Sequence, residues 1–374
     1  MHRHDMRRRS FLQSALGAGI FALGQASVPS LSTVAAGLDQ KRRFATVKIS
    51  RERLIRTVVG LRPYRPRGFV VGAEQLGDKL VVHNYGHGGA GVTLSWGTAS
   101  MAADLARQTG QGNYAVLGCG VMGLSTARLL QRRGGQVTIY AKAQPPETTS
   151  NVAGALWFPT SSFNSQKVDQ AFVEKFKLAC RISHRAFQDL VGAEYGVRWV
   201  ETLQLRNEPP QNAELIGGAH LYPDTHIYRD QRGDFGFPHV TQFNTMLIEP
   251  AVYLNALLRD FHLAGGKIVV QEFRSREEIA TLREPVVVNC TGLGARALFG
   301  DDKLIPVRGQ LEVLLPQPEV DYCYLSDSLY MFPRRDGIIL GGTFEHEHWS
   351  LAADASQTTA TLEGNARIMK GLRH

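Results

Sequence analysis

Tyr114-Ala115-Val116-Leu117-Gly118-Cys119-Gly120-Val121-Met122-Gly123 is the stretch on which the reading of this 374-residue chain turns. Tyr114–Leu117 reads as a buried strand. Three glycines follow at G-x-G-x-x-G spacing, and Val121–Arg133 then reads as a helix stopped by Gly134-Gly135. Gln136–Ala141 reads as a second strand, which completes a β–turn–α–β unit. In that setting the glycines let backbone approach a pyrophosphate at the positive end of a helix. The spacing alone leaves NAD, NADP and FAD open. The second strand ends Tyr140-Ala141-Lys142, where an acid for the ribose hydroxyls is expected. A lysine there admits two readings: a 2′-phosphate partner, hence NADP, or a solvent-exposed cation with the ribose held otherwise.

Upstream, Leu80-Val81-Val82 is a short apolar strand that runs into His83-Asn84-Tyr85-Gly86-His87-Gly88-Gly89-Ala90-Gly91. Four glycines in six residues suit a backbone pressed against something flat, not a helix or strand interior. Thr93–Arg107 reads as a helix with Leu94, Ala99, Ala102 and Leu105 on one face, and Gln108–Asn113 as a polar turn. Downstream, Thr148-Thr149-Ser150-Asn151-Val152-Ala153-Gly154-Ala155-Leu156-Trp157 offers three hydroxyls and then small residues. Gln166–Val191 reads as a long amphipathic helix through Phe172, Phe176, Cys180, Phe187 and Val191. Pro250 opens another helix, stopped at Gly265-Gly266. Strands are expected at Lys267–Gln271, Val286–Asn289 and Gly337–Gly341.

The net charge of +8 raises a nucleic-acid reading that its distribution excludes. Of 42 Lys/Arg and 34 Asp/Glu, residues 1–56 hold 11 and 3, leaving 31 of each sign elsewhere. The basicity belongs to the leader, not to a binding face. Arg7-Arg8-Arg9-Ser10-Phe11-Leu12 and the weakly apolar run to Gly24 look like a twin-arginine export signal, with cleavage after Ala26 or Ala36. The expected location is periplasmic or secreted. The apolar run is too short for a membrane span, which takes about 20 residues. Residues 25–50 read as a linker. Cys119, Cys180, Cys290 and Cys323 show no metal or CxxC spacing and are expected to be buried free thiols.

Taken together, Gly118–Thr126, the His83–Gly89 run, Thr148–Trp157, Val286–Gly292, Arg308-Gly309-Gln310, Gly341–Phe344 and Leu61–Pro66 resemble the D-amino acid oxidase family over about 51–374. The order differs: in that family the dinucleotide motif opens the chain and the histidine–glycine run closes it. Here the Arg62 segment and that run come first, as a circular permutation would give. The resemblance implies an α/β chain with a Rossmann-like FAD-binding domain and an antiparallel-sheet substrate domain. Residues 1–37 would be signal and linker, 51–110, 113–160 and 251–300 the FAD domain, and 161–250 and 301–374 the substrate domain. It implies FAD on Gly118, Gly120, Gly123, Thr148, Thr149, Ser150 and Leu156, with Gly88, Gly89, Gly91 and Thr93 around the flavin ring.

For chemistry, the resemblance puts Arg62 and Tyr330 on a substrate carboxylate and the Gly89 carbonyl on the amine. A guanidinium suits a carboxylate because it bonds bidentately and fixes orientation. The expected reaction is oxidation of a D-amino acid by O₂ to 2-oxo acid, ammonia and hydrogen peroxide. The alternatives are a glycine or N-methyl amino acid oxidase, a quinone-linked dehydrogenase, or a flavin-binding protein without turnover. His83 and His87 are expected to be packed turn residues with no metal. The lid at Leu325–Leu329 is short and lacks the family's second tyrosine, for which Tyr322 or Tyr324 is a substitute to be tested. Phe158 stands where the family often has a polar residue. A homodimer is compatible with this reading.

Overall fold

The computed structural model describes residues 43–209, 215–229, 235–326 and 328–372. The segment expected to be an export signal and residues 25–42 of the expected linker lie outside the described residues. Two sheets organise the rest. The nine-stranded sheet begins with β1 (Leu54–Tyr64). The six-stranded sheet takes β2 (Val70–Leu76), β3 (Lys79–Tyr85), β4 (Asn113–Leu117) and β5 (Gln136–Ala141). The helices α1 (Gly91–Arg107) and α2 (Val121–Arg132) alternate with these strands. Then come α3 (Gln170–Asp189), β6 (Val197–Arg206), β7 (His226–Arg229), β8 (His239–Ile248) and α4 (Pro250–Leu263). The chain returns to the six-stranded sheet with β9 (Lys267–Val270), α5 (Arg276–Ala280), β10 (Val286–Asn289) and α6 (Gly294–Phe299). It closes with β11 (Ile305–Leu314), β12 (Tyr322–Leu325), β13 (Tyr330–Arg334), β14 (Gly337–Gly341), β15 (Glu345–His346) and α7 (Ala355–Lys370).

The six-stranded sheet runs β2-β3-β10-β4-β5-β9 and is parallel except for the β2–β3 hairpin. Alternation along its strands sorts the core. Val82, Val116, Val286 and Val288 pack on the side of α1 and α2, while Val81, Ala115, Leu117 and Val287 pack towards α5 and α6. The strands are buried on both faces, which is why they read as continuous apolar runs. The strand at residue 80 is longer than its apolar core suggested, because pairing with β2 carries it on to Tyr85.

The other sheet runs β1-β11-β14-β13-β12-β6-β8-β7, with β15 beside β11. It is mixed, not purely antiparallel, since β6 and β12 pair in parallel. β1 pairs with β11 from Leu54 to Tyr64, so the Arg62 strand belongs to this sheet and not with the dinucleotide unit. One face packs on α7 through Tyr322, Tyr324, Met331 and Leu340. The opposite face carries Tyr330 and Phe332 towards the first sheet. Such buried apolar side chains contribute roughly 1.5–3 kcal/mol each.

Two boundaries differ from the sequence reading. The helix expected from Gln166 starts at Gln170, because the Asp169 carboxylate caps it by accepting from the Phe172 amide at 2.8 Å. It ends at Asp189, leaving Val191 exposed. Residues 44–50 are not linker: Phe44 and Val47 are buried beside Phe235 and Tyr322.

Candidate active site

A cavity of about 1140 Å³ lies along the C-terminal ends of the parallel strands and against the nine-stranded sheet. At one end the glycine turn between β4 and α2 is tightly specified. Gly118 sits at φ +102°, and a Cβ there would meet the Cys290 carbonyl at 2.6 Å. A Cβ at Gly123 would overlap the Gly118 carbonyl, so that glycine sets the approach of helix to strand. Gly120 is the helix N-cap, in extended conformation and without a side-chain hydrogen bond of its own. The Ser150 hydroxyl accepts from the Val121 amide at 3.0 Å, which fastens the Thr149–Val152 turn over the helix start. The Thr148 hydroxyl donates to the Asn151 amide oxygen at 2.8 Å, and Thr149 lines the same rim. Further along, Leu156 is buried and bridges to Leu247.

The middle of the cavity is lined by the turn before α1. Gly88 takes φ +58°, and its Cβ position would strike the Ser161 carbonyl. The Gly89 amide donates to the Ser161 carbonyl at 2.9 Å, which fixes the turn where Gly89 lines the cavity. Gly91 opens α1, which also starts without a side-chain cap. The Thr93 hydroxyl is committed to the Ala90 carbonyl at 3.0 Å, so Thr93 contributes to the wall by its backbone and methyl group.

At the far end, Arg62 and Tyr330 lie on adjacent parts of one wall. The order β1-β11-β14-β13 places two strands between them. Both intervening strands carry a glycine under the side chain above it: a Cβ at Gly309 would overlap the Arg62 guanidinium, and one at Gly341 would overlap the Tyr330 ring end. Arg62 Nη1 donates to the carbonyls of Arg308 and Thr343 at 3.4 and 3.3 Å, and its guanidinium lies 5.3 Å from the Phe344 ring. Among the described residues it has no carboxylate partner. Arg65, three residues on, is paired to Asp301 at 2.9 Å. The two arginines of one segment therefore differ: Arg65 is neutralised inside the fold, and Arg62 presents its charge to the cavity. Tyr330 stacks on Phe332 at 4.7 Å between centroids.

The histidines are packed residues. His87 is wholly buried, bonded to the Thr98 hydroxyl at 2.9 Å and stacked on Phe69; burial pushes its pKa down to about 3, so it is neutral. His83 lies between Glu74 and Asn289, and burial lowers its pKa too. Among the described residues no group of side chains is arranged to hold a metal. All four cysteines are free and buried, with the thiols of Cys119, Cys180 and Cys290 pushed up to about 12 by desolvation. Lys142 is exposed and paired with Glu272 at 3.2 Å.

Tyr322 and Tyr324 do not replace a lid tyrosine. Both are buried on the α7 face, with hydroxyls on the Ala45 carbonyl at 2.8 Å and the Asn365 side chain at 2.5 Å. Register explains it: Tyr330 pairs with Leu325, so Tyr324 points to the opposite face. Asp327 of the lid lies outside the described residues. Phe158 is buried, stacks on Phe243 and lines the cavity. Sequence reasoning missed Gln204 and Arg206, two further cavity-lining residues. The parallel pairing of β6 with β12 sets Gln204 opposite Leu325, which itself pairs with Tyr330, so Gln204 shares the face of Tyr330 across β12, and nothing local to Gln204 signals that.

The residues fit FAD: a glycine turn whose close backbone contacts exclude a Cβ at Gly118 and Gly123, two helix starts whose N-cap residues make no side-chain cap bond at one cavity, and a glycine-lined strip beyond them. Comparison with known proteins agrees. A family model described as FAD dependent oxidoreductase matches residues 27–105 and 113–374. A D-amino acid oxidase of Dugesia ryukyuensis is 28% identical over 272 residues, covering 70% of this chain and 78% of its own. A D-amino-acid oxidase of Rubrobacter xylanophilus is 31% identical, covering 69% of this chain and 77% of its own. The crystal structure of a glycine oxidase from Geobacillus kaustophilus superposes with a TM-score of 0.53 at 15% identity, over 69% of this chain and 78% of that one.

Proposed function

The chain belongs to the FAD-dependent oxidoreductase family, and on that premise we propose that it oxidises D-amino acids to 2-oxo acids, ammonia and hydrogen peroxide. The observation that carries the reading is the Arg62 guanidinium, without a carboxylate partner among the described residues, seated over Gly309 and lining the cavity with Tyr330. A cation held by two backbone carbonyls, with no carboxylate partner among the described residues, suits an anionic ligand.

Bound FAD would supply the hydride acceptor for this oxidation, with O₂ as the final oxidant. The chain's own residues supply position. Arg62 holds the α-carboxylate by two parallel N–H donors, and the Tyr330 hydroxyl donates to the same group. The Gly89 carbonyl accepts from the substrate amine, which fixes the direction of the Cα–H bond. A neutral amine can release its Cα hydrogen with the bonding electrons and leave an iminium ion, which water hydrolyses to the 2-oxo acid and ammonium. No side-chain base is needed for a neutral amine, and His87, neutral and committed to Thr98, does not act as one. Rate then comes from orientation. The preference for the D-form rests on the relatives' names and on the motif resemblance.

Two subsidiary readings accompany this one. The leader motif supports export of the folded flavoprotein. The element order supports a circular permutation, and the ends of the described body lie close together. Tyr322 Oη donates to the Ala45 carbonyl and sits 3.9 Å from Met369 Sδ.

The test is the visible spectrum of purified protein, followed by anaerobic addition of D-amino acids with L-forms as controls. Bleaching of the flavin bands by D-forms alone is the expected result. A yellow protein that no amino acid bleaches would sink the proposal and favour a binding protein.

A further inference from the structure

The second strand of the dinucleotide unit ends in Lys142 where this kind of site ordinarily places an acid for the adenosine ribose. The strand next to it supplies one. β5 and β9 run parallel, and pairing continues past their ends, with the Gln271 amide donating to the Ala141 carbonyl at 3.0 Å. Glu272 therefore emerges directly beside Lys142, and its carboxylate lies 3.2 Å from the Lys142 ammonium. Both residues line the nucleotide end of the cavity. Their side chains are 73% and 56% exposed, too open for the pair to contribute much to stability. A carboxylate fixed in direction but left accessible retains lone pairs for other donors.

We propose that Glu272 is the ribose acceptor of the bound FAD, and that Lys142 is the positioning residue that holds it. The acid has moved one strand over and the cation has taken its former place. The arrangement also explains why Lys142 does not signal a 2′-phosphate: its charge is compensated by Glu272, and that carboxylate would repel the phosphate. The inference rests on FAD as the cofactor and is independent of the substrate proposed above.

The experiment is equilibrium binding of FAD and of FMN to apoprotein, read by quenching of flavin fluorescence, with thermal unfolding of each apoprotein as a control. FMN shares the flavin end and lacks the adenosine. Glu272→Gln is expected to weaken FAD roughly ten-fold, the size for losing hydrogen bonds to a charged acceptor at an open site. FMN affinity and the unfolding temperature should not change. Lys142→Met, which keeps the carboxylate and removes its clamp, should weaken FAD by less and leave FMN alone. Unchanged FAD affinity in Glu272→Gln overturns the assignment, as does an equal loss for FAD and FMN. Failure of D-amino acids to bleach the flavin would count against the substrate reading without touching this one.

Discussion

Arg62 and Arg65 lie three residues apart, yet their removal is expected to have opposite consequences. Among the described residues Arg62 makes two long hydrogen bonds to carbonyls, at 3.3 and 3.4 Å, and lies 5.3 Å from the Phe344 ring. Arg62→Ala strands no charge in the free protein, so its stability should change by no more than about 0.5 kcal/mol. With substrate bound, the same change leaves a carboxylate without its cation. Losing one partner of such a pair costs about 2–5 kcal/mol, or roughly 30-fold to 5,000-fold in kcat/KM. Arg62→Lys keeps the charge and loses the fork, and should fall between. Arg65→Ala reverses the pattern: Asp301, 10% exposed, keeps the Tyr85 hydroxyl at 3.0 Å and the Lys303 amide at 3.2 Å but loses its cation, which should cost about 1–3 kcal/mol of stability. The assay is peroxide release against substrate concentration, paired with thermal unfolding of each variant. If Arg62→Ala left kcat/KM within about two-fold of the parent, Arg62 would be removed from the site. A Tm drop matching that of Arg65→Ala would make its role structural.

Gly341→Ala should lower kcat/KM with little change in folding, because its Cβ would displace the Tyr330 ring end; steady-state kinetics beside a melt checks this. His87 is neutral when folded, with its pKa lowered to about 3, and titrates near 6.5 when unfolded. The unfolded chain then binds more protons, so stability is full above pH 6.5 and is lost as pH falls towards 3, at about 1.4 kcal/mol per pH unit. His87→Gln should flatten that part of the urea-unfolding profile by about one proton. The four buried thiols should resist a thiol reagent in the folded protein and react when it is denatured. Moving residues 44–107 behind residue 372 on a short linker should yield a protein that still binds FAD; failure to fold would count against the permuted order.

Local rules determined the β4–α2–β5 unit from sequence alone, because glycine spacing, strand hydrophobicity and helix period all act within about 30 residues. The same holds for the α4 start at Pro250 and for the buried free cysteines. Motif resemblance supplied Arg62 and Tyr330, yet not why they meet. Their meeting depends on β1-β11-β14-β13 neighbouring one another and on Gly309 and Gly341 leaving space beneath them. Cross-strand pairing joins residues some 250 positions apart, and no local pattern encodes it. The same reason placed Tyr324 on the wrong face for a lid and brought Gln204 to the cavity unannounced. Phe44 and Val47 read as linker because a polar, basic stretch hides two apolar residues whose partners, Phe235 and Tyr322, lie far along the chain. Lys142 looked like a missing acid in sequence; tertiary structure set Glu272 beside it, since parallel strands bring their ends together whatever the distance between them in the chain.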